Sequence, residues 1–342
     1  MPQQLDLPPR ATLAQVADRA GVSLKTASRA LGGEPYVRDG TRQAVLTAAR
    51  ELGYRRNVAA SLLARGRVSE TVGLITGSFA NPFYSALAQG IEDAVREHGL
   101  LLSVASSGEE PEREWELARH LAEHQSKAIV VASAMPDHEP YAGLVAAGTP
   151  VTFVDRRARG VASDSVVFAD VEGGRLAARH LLRHGHRRIA FIGDYEWLPT
   201  QLDRLAGVAD ELATAGLEPV APWTRLGLHD AGAAHAHVAA MLRAPEAPTA
   251  VIAGNNRILL GLVEALTGYD AGPPPATIGF DDVDWARAIG QTVIVQDPIA
   301  MGRTAGALVL ARLDDPDLPV RTEVIGVDLV ARGSGERPPR VG

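Results

Sequence analysis

The sequence predicts a small all-α head followed by an α/β body of two doubly wound parallel-sheet subdomains, and three observations carry that prediction. Residues 1–67 hold eleven Arg and Lys against five Asp and Glu, a balance of +6, whereas the rest of the chain holds 23 against 36, a balance of −13. The front segment sets apolar residues at helical spacing between glycines and capping residues. From residue 71 onward, short apolar runs alternate with amphipathic helical segments, the pattern of parallel strands covered on both faces. A basic module joined to an acidic body suits a polyanion that the body itself would repel.

In the head, "TLAQVADRAG" starts with Thr12 and Gln15 at capping-box spacing, and Leu13, Val16, Ala17 and Ala20 share one face before Gly21 stops the helix. Ser23 is placed to cap a second helix over residues 24–31. Two short helices joined by a glycine-containing turn make a helix-turn-helix, whose second helix enters the major groove of DNA by its N-terminal end. With Ala27, Ala30 and Leu31 turned inward, Leu24, Lys25, Ser28 and Arg29 face out. Lys25 and Arg29 are four apart, a repulsive pair unless a polyanion lies opposite. A third helix is expected over residues 41–52, with Ala44, Val45, Ala48, Ala49 and Leu52 inward. The segment "NVAASLLARGR" (57–67) is too apolar for a tether, and so short a helix orders only when something packs on it.

Residues 12–67, through "TLAQVADRAGVSLKTASRAL" and "TRQAVLTAARELGYRRNVAASLLARGR", resemble the DNA-binding head of the lactose-repressor (LacI) family of bacterial transcription regulators. The resemblance implies that Leu24, Lys25 and Arg29 stand at the groove and that Thr26 and Ser28 contact phosphate or base; the cap residues Thr12 and Ser23 complete the set. Lys25 suits guanine O6/N7, and Leu24 a thymine methyl. The resemblance also implies a hinge helix that pairs with its copy in the minor groove, with Asn57 and Ala60 in contact and Leu63 as a wedge between base pairs. Ala27 stands where the family usually has valine, and Ser61 where it has arginine.

In the body, eight apolar runs, "TVGLIT", "LLLSVAS", "AIVVAS", "VTFVD", "RIAFIG", "TAVIAG", "TIGFDD" and "TVIVQD", are expected as strands. Helical segments such as "PFYSALAQGIEDAVREHG" and "GGRLAARHLLRHG" separate them. So many units exceed one open sheet, and two subdomains with a ligand cleft at the carboxyl ends of their strands is the economical arrangement. Polar residues recur at those ends: "GSFANPFY", Asp155-Arg156, Asn255-Asn256 and Asp281-Asp282. The body is also similar to the LacI family and its periplasmic sugar-binding relatives, through "VTFVDRR", "HLLRHGHRRIAFIGD", "RLAGV", "GNN" and "GFDD". That resemblance implies that Phe83, Tyr84, Asp155, Arg204, Asn255 and Asp281 face a small-molecule effector, a sugar or nucleoside. The expected boundaries are a head at 10–56, a hinge at 57–67 and a body at 68–334. The body divides into one subdomain of about 68–160 with 294–320 and another of about 161–293 with 321–334, leaving a tail at 335–342.

Other classes find less support. No P-loop, G-x-S-x-G or H-E-x-x-H motif is present, so an α/β enzyme fused to a DNA-binding head lacks a catalytic constellation. His180 and His184, and the group His229, His235 and His237, lack neighbouring carboxylate ligands and are expected to be solvated or capping rather than metal-binding. Without cysteine there is no disulfide framework or thiolate site, and no cofactor is expected. A solute-binding transport protein would need export, and "MPQQLDLPPRATLAQ" has no apolar run for a signal peptide. A cytoplasmic repressor is therefore expected, with no membrane partner. Acting as a homodimer, it would bind double-stranded operator DNA at a near-palindromic site and respond to an effector.

Overall fold

The computed structural model describes residues 11–32, 34, 36–54, 70–217, 223–270 and 272–339. Asn57, Ala60 and Leu63 of the expected hinge lie outside these residues. The chain divides into two compact units, residues 1–68 and 69–342.

The head consists of α1 (Leu13–Arg19), α2 (Leu24–Leu31) and α3 (Asp39–Glu51). Thr12 and Gln15 form the capping box, and Ser23 accepts from Thr26 N at 3.2 Å to cap α2. Gly21 turns the chain between them in the left-handed region, φ +66°. Val16, Ala17, Ala27, Ala30, Val37, Val45, Ala48 and Ala49 form the core. The helix α3 begins two residues before Thr41, and its buried stripe is Val45, Ala48 and Ala49, which leaves Ala44 and Leu52 exposed rather than inward. An ion pair, Arg19 to Glu51 at 2.9 Å, ties α1 to α3.

In the body the chain first runs through β1 (Thr71–Thr76), α4 (Pro82–Arg96), β2 (Leu101–Ser106), α5 (Pro111–Glu123), β3 (Ala128–Val131), α6 (Ala142–Ala146), β4 (Val151–Val154) and β5 (Asp164–Phe168). It then builds α7 (Asp170–Arg183), β6 (Ile189–Ile192), α8 (Pro199–Thr214), β7 (Thr224–Arg225), α9 (Ala231–Met241), β8 (Ala250–Ala253), α10 (Asn256–Thr267), β9 (Ala276–Phe280), α11 (Asp284–Ala288) and β10 (Thr292–Val295). It returns through α12 (Pro298–Asp314) and β11 (Thr322–Ile325) and finishes on β12 (Asp328–Val330).

Two six-stranded sheets result, in the orders β11-β5-β4-β3-β1-β2 and β12-β10-β9-β8-β6-β7. All neighbours are parallel except β10 and β12. Each of the eight apolar runs forms a strand. The additional strands are β5, β7, β11 and β12, of which β5 opens on a buried charge, Asp164, made tolerable by the Arg312 guanidinium at 2.9 Å and Arg321 N at 2.8 Å.

The lobe boundaries differ from the expected ones. Because β5 pairs with β4 and β11 with β5, residues 164–168 and 322–325 belong to the first lobe, and because β10 pairs with β9, residues 292–295 belong to the second. The three connections between lobes therefore fall at Ala169, at Gln296-Asp297 and at Gly326-Val327. Residues 335–339 are no free tail. Glu336 accepts from Thr292 Oγ1 at 3.0 Å and is paired with His180, while His186 Nε2 is bonded to the Arg337 carbonyl at 2.8 Å.

Both lobes are locked by a pair of helices in backbone contact. Between α4 and α12, a Cβ on Gly90 would overlap the Ile299 carbonyl oxygen and one on Gly302 the Leu87 carbonyl oxygen. Between α7 and α8, Gly174 meets the Arg204 carbonyl and Gly207 the Val171 carbonyl in the same way.

Candidate functional site

In the head, the first turn of α2 presents Leu24, 54% exposed, and Lys25, also exposed. Thr26 and Ser28 are half-buried, and the Thr26 hydroxyl is bonded to that of Ser23 at 2.8 Å. Arg29 is exposed but not free: its Nε lies 3.3 Å from Glu34, whose carbonyl accepts from Arg42 at 2.6 Å. The sequence reading missed this pairing, which makes Lys25 the less encumbered cation of α2. The N-terminal end of α2, whose first-turn N–H groups favour anions, presents Leu24 and Lys25 to solvent.

In the body, the first lobe brings Tyr84, Glu109, Asp155 and Arg156 together at the carboxyl ends of β1, β2 and β4. Asn81 caps α4 by accepting from Phe83 N at 3.0 Å, which sets Phe83 and Tyr84 in the first turn, edge to face at 5.3 Å. Arg156 holds Glu109 with both terminal nitrogens, at 2.8 and 3.0 Å, and also donates to the Ser133 carbonyl. The Tyr84 hydroxyl donates to Glu109 at 3.3 Å. Asp155 stands in the left-handed region, φ 67°, a costly conformation for a residue with a side chain, of the kind stored at binding sites. Its carboxylate accepts no hydrogen bond among the described residues, and its nearest cation is Arg156 Nε at 3.6 Å, itself an unpartnered donor. Burial pushes the Asp155 carboxyl up to about 6, against the opposing pull of Arg156.

The second lobe contributes Arg204, Asn255, Asn256 and Asp281, with Asp194, Tyr195, Trp197 and His229 around them. Arg204 is buried over the Phe280 ring at 4.5 Å and donates to Asp170 at 2.7 Å, to Gln296 at 2.9 Å and to the Gly254 carbonyl. Burial raises the Asp170 carboxyl even against this pair. Asn255 caps α10 through Ile258 N at 2.9 Å and donates to Asp194 at 2.9 Å. Asp281, also left-handed at φ 73°, accepts from Asn256 N at 3.2 Å and from Asn256 Nδ2 at 2.7 Å. Tyr195 and His229 stack at 4.0 Å, with Trp197 beside them.

These two sets face each other. Asn256 Nδ2 donates to Asn81 at 2.9 Å, Arg257 donates to the Ala80 carbonyl at 3.2 Å, and the Arg156 guanidinium lies 5.6 Å from the Trp197 ring. The result is a polar, aromatic-lined cleft whose walls come from both lobes, able to grip a small polar molecule by carboxylates and amides.

Of the six residues that the sequence proposed for the cleft, Asp155, Asn255 and Asp281 follow strand ends and Phe83 and Tyr84 lie in the first turn of α4, whereas Arg204 lies in the second turn of α8. Arg204 and Asp281, however, are largely committed to partners inside the second lobe. The effector-facing set implied by the family resemblance omitted Glu109, Arg156, Asp194, Trp197 and Asn256. Arg156 and Asn256 were visible as strand-end neighbours of Asp155 and Asn255; Glu109 had no local signal. Of the histidines, His180 pairs with Glu336 and His229 joins the cleft wall. No cluster of His, Asp and Glu suited to a metal occurs among the described residues, and no helix there is long and apolar enough to cross a membrane.

Residues 12–57 match the family "Bacterial regulatory proteins, lacI family", and residues 69–308 match "Periplasmic binding proteins and sugar binding domain of LacI family". The chain is 30% identical to the HTH-type transcriptional regulator GalR of Escherichia coli strain K12, over 96% of both chains. It is 33% identical to the HTH-type transcriptional regulator CelR of Thermobifida fusca, over 95% of this chain and 98% of that one. Among solved structures, a lac repressor dimer bound to operator and the anti-inducer ONPF superposes with a TM-score of 0.77 at 25% identity, covering 96% of this chain and 99% of that one. A complex of the regulator CelR with cellobiose superposes with a TM-score of 0.69 at 29% identity, covering 95% and 100%. With both units matched in their order along the chain, the protein belongs to the LacI family of DNA-binding transcription regulators, a family of regulators rather than enzymes, and carries its periplasmic-binding-protein-like, sugar-binding type of effector domain.

Proposed function

We propose that the protein is an effector-responsive repressor that binds a near-palindromic operator as a homodimer in the cytoplasm and takes a neutral polyhydroxyl molecule, a sugar or nucleoside, in its cleft. One α2 helix reads only a few base pairs, so two copies on a two-fold site are the physical expectation. Leu24 and Lys25 read bases, Thr12, Ser23, Thr26, Ser28 and Arg29 settle the helix on its groove, and Asn57, Ala60 and Leu63 engage the minor groove between half-sites. In the body, Phe83 and Tyr84 supply an apolar platform, and Asp155, Asn255 and Asp281 accept from and donate to hydroxyls, with Arg204 setting the rear wall.

The observation that carries the cleft assignment is the Asp155 carboxylate, largely buried at the carboxyl end of β4 on a strained backbone, with no donor bonded to it among the described residues. A pair of adjacent hydroxyls supplies the two missing donors in one ligand. The relatives bound to operator and to cellobiose support the same reading.

Two measurements test it. Mobility shift of the intact protein on randomised duplexes, across a salt series, must select a two-fold sequence; uniform binding to all duplexes overturns the repressor reading. Lys25→Ala is expected to relax specificity at one or two positions by about 1–3 kcal/mol. A thermal-shift screen of sugars and nucleosides must find a ligand that raises the melting temperature and whose effect Asp155→Ala abolishes.

A further inference from the structure

Glu109 sits where the proposed effector site would otherwise present a bare arginine. Its carboxylate accepts from both terminal nitrogens of Arg156, at 2.8 and 3.0 Å, and from the Tyr84 hydroxyl at 3.3 Å. Two backbone features direct it there. Glu109 itself adopts a left-handed conformation, φ 61°, immediately after Gly108 at φ 69°, which turns its side chain back over the strand ends. The space it enters is kept open by Gly77, where a Cβ would overlap Glu109 Oε1. An exposed glutamate has no need of either device, and the pair is largely withdrawn from water, with 4% of the Arg156 side chain and 14% of the Glu109 side chain accessible.

The remaining charges point the same way. Glu109, Asp155, Asp170, Asp194 and Asp281 form one electrostatically connected set with Arg156 and Arg204, five carboxylates to two guanidiniums among the described residues. Arg204 is already engaged by Asp170, and His229 at the cleft wall already faces Asp194 at 3.5 Å. No cation in this set is left for an anionic ligand; Arg257, which reaches across to the Ala80 carbonyl at 3.2 Å, lies outside the set.

We infer that Glu109 is a specificity-determining residue: it fills the anion position of Arg156 and so makes the cleft selective for uncharged polyhydroxyl effectors and closed to phosphorylated ones. This deepens the effector-site reading above and rests on it for the identity of the cleft. A phosphate ester entering the wild-type cleft must displace a bidentate carboxylate and sit among four further carboxylates. Removing the Glu109 charge leaves a buried guanidinium with the fork geometry that phosphate prefers.

The test is calorimetric titration of the full-length protein with inorganic phosphate, and with D-ribose and ribose 5-phosphate, in wild type, Glu109→Gln and the double variant Glu109→Gln with Arg156→Met. Wild type is expected to show no heat with phosphate beyond a chloride control of equal ionic strength. Glu109→Gln is expected to gain about ten- to hundredfold in phosphate affinity, the worth of one or two charge-assisted hydrogen bonds, and the double variant to lose that gain. A Glu109→Gln protein that melts cooperatively yet binds phosphate no better than wild type overturns the inference. If that variant does not fold, wild type decides: a phosphorylated sugar that binds more tightly than its neutral parent overturns the inference, and rejection of the ester by a cleft that takes the parent upholds it. Failure of the two readings is distinguishable. A Glu109→Gln gain in phosphate binding with no neutral sugar or nucleoside bound by wild type removes the polyhydroxyl reading and leaves the role of Glu109 standing.

Discussion

Asp155 and Asp281 occupy equivalent places in the two lobes of the body. Each follows the third strand in its sheet order, each takes a left-handed backbone, and each has a buried arginine–carboxylate pair nearby, Arg156 with Glu109 and Arg204 with Asp170. Their carboxylates nonetheless stand in opposite conditions: Asp281 holds two donors from Asn256, whereas Asp155 holds none among the described residues. The same contrast extends to the arginines, since Arg204 is engaged by Asp170, the Gly254 carbonyl and Gln296 of the inter-lobe connection, whereas Arg156, bonded to Glu109 and the Ser133 carbonyl, keeps its Nε unused. One lobe is therefore satisfied internally, and the other keeps polar capacity open, which the proposed effector would use. Buried polar groups are tolerated unpaired where binding will complete them.

The sharpest way to break this contrast is to remove each arginine. Arg204→Ala leaves the buried Asp170 carboxylate with no cation and only the neutral donor of Gln296, and is expected to cost about 3–5 kcal/mol in urea unfolding. Arg156→Ala is expected to cost less, about 1–3 kcal/mol, because Glu109 can turn to water. Equal costs would show that both pairs serve stability alone.

Next in size are the helix pairs, where the lobes should behave alike. Gly302→Ala between α4 and α12, and Gly207→Ala between α7 and α8, each force backbone apart and are expected to cost about 1–3 kcal/mol. A large cost in one lobe and none in the other would refute their structural equivalence.

The smallest effect depends on pH. With its folded-state pKa raised by burial to about 6, Asp155 stabilises the fold in its neutral form; that contribution is complete below about pH 4 and lost as pH rises through 6. Asp155→Asn keeps the side chain neutral throughout. It should melt at a higher temperature than wild type at pH 7.5, by about 1–2 kcal/mol of stability, with the difference vanishing toward pH 4. Asp281→Asn should bring no such gain, since its carboxylate already has donors. A pH-independent difference for Asp155→Asn would show that desolvation is not its burden.

What could be read from the sequence follows the range of the interactions involved. The head was legible because its determinants are local: Thr12 caps Gln15, Ser23 caps Thr26, and the glycine turn lies between. The eight apolar strands were legible for the same reason. The strand β5 was not, because its leading Asp164 is made tolerable by Arg312, 148 positions away. Strand ends disclosed Asp155, Asn255 and Asp281, since parallel sheets bring those ends together. Glu109 stayed hidden because its inward turn depends on a left-handed backbone and on the absence of a side chain at Gly77, and neither leaves a mark in "SSGEEP". Arg29 was read as a groove contact, and its pairing with Glu34 depends on how the chain turns after α2.

Gln296 lies in the connection that carries the chain from β10 back to α12, and it is bonded to both members of the Arg204–Asp170 pair, at 2.9 Å in each case. That connection is therefore riveted to the second lobe at Gln296 and enters the first at Asp297, which caps α12 by accepting from Ala300 N at 2.9 Å. The lobes are joined through a hinge pin whose socket is already welded on one side, so a rotation between them must be taken up between Gln296 and Asp297 and in the connections at Ala169 and Gly326. Replacing Gln296 would loosen the pin and take one hydrogen bond each from Arg204 and Asp170, while leaving the first lobe's Arg156–Glu109 pair untouched.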